Sequence, residues 1–446
     1  MVTLVNKQRI CFISGKLKGT DGVSLEVDKW ADILRKLNYE VFYLAGKFDH
    51  DLIDTKKDIL VPGLSFDSEQ QKYFELRAFP FIDNNPNSYH LNMWDKRRLM
   101  KDLVAQGNDL ASEIDHKLEE HNIDIIIGEN TNAMPMSLLG AVAMKEIAGK
   151  YKTLFHHHDF YWERKRFRLN NIDELLSEIM PPLDPSIKHA VISRYAKTML
   201  RENRGIEGSI IVPNCENFDN PPVKDDYNSD FRNELGFKED DILLLEPTRV
   251  VRRKKIEVAI DFADQLGSTY NNKDKVKLLV SLDAGDEPDS IMYQKELEVY
   301  AKQKEVQLHF ISDRVNSIRH LDKNGRKIYT NRDVLVNADL GLYPPDWEGF
   351  GNAYLEMTAA KLPIVVSQYI VFNTDIAPKG FKNIVLGHDD LTGDSIINNH
   401  HIEKANRLLE HPEEMVPMVE RNFEIGKKFF GYETLENRLS YILDGF

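Results

Sequence analysis

At 446 residues and 42% hydrophobic content, the chain is too long for one ordinary core and calls for two domains. A net charge of −14 speaks against a nucleic-acid binder, and no run of about 20 apolar residues offers a membrane span. The two cysteines, Cys11 and Cys215, stand far apart and form no metal motif; with no apolar leader, a reducing, cytoplasmic setting is expected.

Strand-like and helix-like segments alternate along the chain, the pattern of parallel α/β layers. Arg9–Ile13 reads as a strand, followed by a Gly-bearing loop, Ser14 to Val23. From Gly22 a helix follows, with Val23, Val27, Trp30, Ala31, Leu34 and Leu37 on one face. Glu40–Leu44 is the next strand. Residues 51–92 are irregular and rich in Phe, Asn, Asp and Pro, so an insertion or long connection is expected there. Helices over Leu99–His121 and Met136–Ala148 alternate with strands over Ile123–Ile127 and Lys152–Phe155. Further strands are expected at His189–Ile192 and Ser209–Val212.

Asn214–Asp230 carries Pro221-Pro222 and little apolar content, which reads as an interdomain linker. The alternation then restarts, with strands at Ile242–Leu245, Val276–Val280, Val306–Ile311, Asp339–Tyr343, Ile364–Val366 and Asn383–Leu386. Ile402–Leu409 and Phe423–Leu443 read as helices. Two Rossmann-like domains facing each other across a cleft follow, with residues 1–218 as the first and 219–425 as the second. Residues 426–446 form a helix expected to return to the first. Ligands of such sheets bind at the carboxyl ends of the strands.

The most informative segment runs from Pro344 to Glu356. A strand ends in a Pro-rich turn, a Gly-bearing loop follows, and a helix opens near Asn352. The unpaired N–H groups at such a helix start suit a phosphate. Gly349 and Gly351 let backbone approach a ligand closely. Glu348 and Glu356, with seven residues between them, both accept hydrogen bonds from sugar hydroxyls. A turn that uses its glycines only for the turn is the plainer alternative.

Glu348-Gly-Phe-Gly, then Glu356, then Ala359-Ala360-Lys361-Leu362-Pro363-Ile364-Val365-Val366 resembles the E-x7-E signature of glycosyltransferase family 4. That resemblance implies the GT-B architecture and a retaining transfer from a nucleotide-diphosphate sugar. By the same resemblance the step would be front-face, with the leaving phosphate helping to take the acceptor proton. In this family Glu356 would hold the ribose hydroxyls and Glu348 the donor sugar. Gly349, Phe350 and Gly351 would form the donor loop, and the N–H groups of Asn352 and Ala353 would meet the diphosphate.

Arg249 and Lys254 could converge on the same anion across a turn; a solvated basic run with Arg252, Arg253 and Lys255 is the alternative. The resemblance favours the first, although Lys255 stands where the family has glycine. Gly22 resembles the position where backbone nears the donor phosphate, a plain strand-to-helix turn being the alternative, and Lys16 and Lys18 either add charge beside it or are simply solvated. His156-His157-His158-Asp159 ends a strand. Neighbouring side chains there alternate faces, so no metal is expected; by resemblance His158, then His157, lines the donor sugar. Glu129 and Asn130 either bind an acceptor hydroxyl or cap the next helix. Ser193 and Val212-Pro213-Asn214 resemble structural or cleft-lining motifs of the family, with Cys215 standing where glycine is usual. Val371 to Asp375 departs from its usual Gly-Gly turn and acid.

The expected protein is thus a hexosyltransferase with His158, Arg249, Lys254 and Glu348 as its catalytic set. It needs no cofactor and moves a hexose from a UDP- or GDP-sugar to a hydroxyl of a small soluble acceptor. Lys16, Glu129, Asn130 and Arg164 would face that acceptor, with the cations suited to a phosphate or carboxylate on it. The alternatives are a GT-B disaccharide synthase or phosphorylase using phosphate, and a non-catalytic sugar-binding protein. No nucleic acid or membrane partner is expected, and the oligomeric state is open, with a homodimer one option. Glu348→Ala should lower turnover far more than stability.

Overall fold

A computed structural model describes residues 7–19, 21–48, 53–80, 91–283 and 288–446. The chain divides into two units, Met1–Asn214 with Leu435–Phe446, and Cys215–Thr434. None of the described helices is long and apolar enough to cross a membrane.

In the first unit the strands are β1 (Arg9–Ser14), β2 (Glu40–Ala45), β3 (Asp58–Leu60), β4 (Ile125–Glu129), β5 (Lys152–His157), β6 (Lys188–Val191) and β7 (Ile210–Ile211). They form one parallel sheet in the order β3-β2-β1-β4-β5-β6-β7. Central strands are buried on both faces, which is why they read as unbroken Ile, Leu and Phe runs. The helices are α1 (Gly22–Lys36), α2 (Glu69–Ala78), α3 (Met93–Glu120), α4 (Leu138–Ala148), α5 (Lys165–Arg168), α6 (Asp173–Ile179) and α7 (Arg194–Arg204). Val27, Trp30, Ala31 and Leu34 of α1 are buried, as their spacing predicts, whereas Val23 and Leu37 at its ends are half-buried.

The second unit repeats the plan. It begins with a short α8 (Phe231–Glu234), then alternates β8 (Ile242–Glu246), α9 (Ile256–Gly267), β9 (Val276–Val280), α10 (Pro288–Gln303) and β10 (Gln307–Phe310). A small hairpin of β11 (His320–Leu321) and β12 (Lys327–Ile328) precedes α11 (Asn331–Leu335), β13 (Leu340–Tyr343), α12 (Asn352–Ala359) and β14 (Ile364–Val366). β15 (Ile384–Val385) closes a parallel sheet of order β10-β9-β8-β13-β14-β15. A second hairpin, β16 (Gly387–His388) with β17 (Ser395–Ile396), leads to α13 (Asn399–Glu410) and α14 (Pro412–Phe430). The last helix, α15 (Tyr432–Asp444), belongs to the first unit, where Lys188 Nζ donates to the Ile442 carbonyl at 2.9 Å.

Two expectations change. The segment 51–92 is not irregular throughout: β3 and α2 lie in it, and α3, capped by Asn92, starts at Met93, six residues before the expected Leu99. Its stretch 81–90 lies outside the described residues. The single helix expected over Phe423–Leu443 is two helices, because Gly431 adopts extended backbone (ψ 171°) and stops α14.

Candidate active site

The turn after β13 is built as a platform for α12. Tyr343 and Phe350 are buried, and the Tyr369 hydroxyl donates to the Phe350 carbonyl at 3.0 Å. Gly351 sits at φ +120°, a conformation that side-chain-bearing residues rarely adopt. It opens α12, and its carbonyl accepts from the N–H groups of Tyr354 and Leu355. The Ala353 N–H has no acceptor among the described residues, and Asn352 and Ala353 are half-buried. The ring of Phe350 is 2% exposed and edge-on to Phe430, so what this side chain gives the loop is anchorage. Gly349 is half-buried in the same loop.

Glu348 lies in that turn, 8% exposed, and its Oε1 accepts from Lys254 Nζ at 2.5 Å and from Arg253. Burial pushes its carboxyl upward, but the two cations outweigh that and hold it below the usual carboxylate range. Lys254 is buried too; desolvation lowers its pKa, against the pull of Glu348. Beside it, burial raises Glu246 well above the carboxylate range, and its Oε2 has no hydrogen-bond partner among the described residues. The cation paired with Lys254 is therefore Arg253, not the expected Arg249. Arg249 is exposed, with no ion pair among the described residues. The reason is local: Arg252–Lys254 form one tight turn, which brings consecutive side chains toward one carboxylate. Lys255, which closes the turn, stands at φ +57° and accounts for a glycine being usual there.

Glu356, one turn into α12, accepts from Asn331 Nδ2 at 2.9 Å, and Asn331 in turn accepts from Ser281 Oγ at 2.8 Å. Asn331 is placed by the cap of α11, where Asp333 accepts from Thr330 N and Oγ1, Asn228 and Arg319. Burial opposes the Asp333 charge, yet Arg319 and these donors hold its pKa at about 2. Its folded pKa lies below the ordinary value, so it stabilises the fold fully above about pH 4 and loses that contribution as pH falls toward 2. Asp333→Asn should cost about 1.5–3 kcal/mol at neutral pH, and urea unfolding should show the gap closing as the solution is acidified.

In the second unit the Val371–Asp375 departure forms a wide helical turn over Phe372–Ile376, with Asp375 buried.

In the first unit, β4 and β5 run in register, with Glu129 beside His156. The Glu129 Oε2 is 3.0 Å from His156 Nδ1 and 3.1 Å from His158 Nε2. All three are buried, and Trp30 of α1 stacks on the His156 ring with centroids 4.2 Å apart. Burial disfavours charge on both histidines. It wins at His156, whose pKa falls; at His158 the bond to Glu129 carries it upward. His157 faces the other way and meets His189 at 2.9 Å. Glu129 thus does not cap α4, which Ser137 does; its carboxylate is turned to the two histidines instead. Asn130 Oδ1 accepts from the His158 N–H at 3.1 Å and so shapes the loop rather than a helix start.

The expected cations of this unit are already paired. Lys16 lies 3.7 Å from Asp21, Lys18 2.5 Å from Asp58, and Arg164 2.5 Å from Asp159. The loop before Gly22 differs from expectation as well. Asp21 caps α1, accepting from Val23 N and Ser24 N at 3.1 Å each, so its carboxylate occupies the N–H groups that an anion would use.

Sequence reasoning passed over Arg253, Glu246, His156 and Trp30. For His156 a signal existed: residues two apart on a strand share a face, so His156 and His158 point together.

Residues 228–398 match the family described as Glycosyl transferases group 1. The mannosylglucosylglycerate synthase of Petrotoga mobilis is 30% identical over 436 residues, covering 92% of this chain and 95% of its own. That of Thermotoga maritima is 30% identical over 437 residues, covering 94% and 96%. Among solved structures, Anabaena HepE in complex with UDP-glucose aligns with TM-score 0.66 at 13% identity, over 98% of this chain and 100% of that one. Sucrose-phosphate synthase from Thermosynechococcus elongatus aligns with TM-score 0.65 at 14% identity, over 98% and 99%. At such identities the solved structures speak to the fold alone.

Proposed function

We propose, since this chain belongs to the group 1 glycosyl transferases of GT-B architecture, that it extends a small carboxylated glycoside by one hexose. It is a glycosyltransferase that uses a nucleotide sugar. The finer reading is a retaining transfer from a UDP- or GDP-hexose to an acceptor hydroxyl, in the cytoplasm. The two synthase relatives, alike over nearly their whole length, support a mannosyl donor and an acceptor of the glucosylglycerate class.

One observation carries the donor side: Glu348 bound to both Lys254 and Arg253 at the foot of α12. Two cations held by one buried carboxylate are already oriented, and Lys254 is largely dehydrated as well. A diphosphate leaving group that shares them needs little reorganisation, which is how charged groups lower a barrier. The start of α12 with its Ala353 N–H, together with Lys254 and Arg253, would take the diphosphate. Glu356 would take the ribose, and Glu348 the sugar. Exposed Arg249 would join only on binding. The second unit would thus hold the donor nucleotide.

Thermal unfolding with UDP, GDP and ADP tests this. At about a hundredfold excess over Kd, the true product nucleotide should raise Tm by roughly 5 to 10 °C, and the others by far less. Equal shifts for all three, or none, would defeat the donor assignment. Transfer assayed with GDP-mannose and glucosylglycerate tests the acceptor class separately.

A further inference from the structure

We propose that Glu129, His156 and His158 form a binding site for a borderline divalent metal ion of the zinc type. The atoms Glu129 Oε2, His156 Nδ1 and His158 Nε2 all lie within 4.8 Å of one another. Two ligands on one such ion, each about 2.0–2.1 Å from it, stand roughly 3.0–3.4 Å apart. The 3.0 and 3.1 Å separations here already have that size, so only small side-chain movement would admit an ion. The donors are two imidazoles and one carboxylate. That set suits zinc, cobalt or nickel, whereas magnesium and calcium favour oxygen alone.

The surroundings favour a held ion over a chance cluster. Glu129 and His156 sit on paired neighbouring strands, a rigid base. Trp30 fixes the His156 ring, and Asn130 fixes the backbone at His158. Glu129 Oε1 is buried with no hydrogen-bond partner among the described residues. A buried carboxylate oxygen without a donor is costly, and a cation satisfies it where no donor does. Glu26, 1% exposed on α1, adds negative charge nearby and is itself paired with Lys29. Three protein ligands leave a position for an oxygen ligand, water or a substrate hydroxyl or carboxylate. His158 is the least buried of the three and marks the side from which it would enter. The site stands on these residues alone and does not depend on the transfer reaction proposed above.

The test uses the full-length protein, stripped by a chelator and titrated with Co2+, then with Zn2+. The expected result is one Co2+ per chain with visible d–d absorption, displaced by Zn2+, and a higher Tm in the loaded protein. Glu129→Gln and His158→Gln, each checked for native circular dichroism, should weaken binding by roughly a hundredfold or more. The exposed histidines His116 and His411 serve as the control: changing both to Gln should leave the titration as it was. A hydrogen-bonded cluster without a metal role would take up no stoichiometric cobalt, and that result overturns the proposal. So does cobalt binding that survives folded His158→Gln.

Discussion

Glu348→Ala should remove turnover and a large part of the stability together. The carboxylate is buried and paired with Lys254 and Arg253. Truncating it leaves a buried ammonium without its partner, which costs about 3–5 kcal/mol. Transfer should fall by roughly a hundredfold to a thousandfold, because the sugar contact goes and both cations lose their orientation. The ion pairs change the expectation from sequence, in which turnover suffered far more than stability. Two measurements separate the effects: urea unfolding for the fold, and kcat/KM with nucleotide sugar for the reaction. The double variant Glu348→Ala with Lys254→Met removes the stranded charge, so it should regain most of the stability and none of the activity. A Glu348→Ala protein as stable as the parent would show that the pair carries no weight in the fold.

Gly351→Ala should be the second severe change. A Cβ at this position would stand 2.5 Å from the Tyr369 hydroxyl and 3.4 Å from the Tyr343 ring, at φ +120°. Backbone strain of about 1–3 kcal/mol adds to a similar cost of overpacking. Tyr369 is buried and bonded to the loop it would have to leave, so relief by moving it is expensive. The start of α12 should shift, and the nucleotide-induced rise in Tm should disappear with it. Gly393→Ala is the comparison. It too has positive φ, but nothing lies within 4 Å of its Cβ, so it should cost only about 1–2 kcal/mol and leave nucleotide binding intact. Equal effects in the two variants would mean that the Tyr369 contact does not matter.

Much of the fold was legible because parallel strands advertise themselves. Ile125 to Ile127, Leu243 to Leu245 and Ile364 to Val366 are buried on both faces and carry no polar alternation. The loop from Glu348 to Gly351 was legible from its glycines and carboxylates. The partners of those carboxylates were not. Whether Arg249 or Arg253 meets Lys254 depends on how a three-residue turn rotates, and one residue of rotation decides it. The same holds in the first unit, where Lys16, Lys18 and Arg164 looked available but each has an aspartate within reach. Two of these, Asp21 and Asp159, are close in sequence; the third, Asp58, comes from β3 across the sheet edge. Glu129 and the histidines met because strand register, invisible in the sequence, sets β4 beside β5.

The placement of α15 governs the order in which the molecule can be made. The whole of residues 215–434 must be synthesised after Asn214 and before Leu435, Leu439 and Ile442, which complete the first unit. At roughly 5–20 residues per second, the nascent sheet waits tens of seconds with an apolar groove uncovered. The second unit, continuous from Cys215 to Thr434, can meanwhile finish. Chaperone demand should therefore fall on the earlier half, and a stop codon before residue 435 should release chains that aggregate.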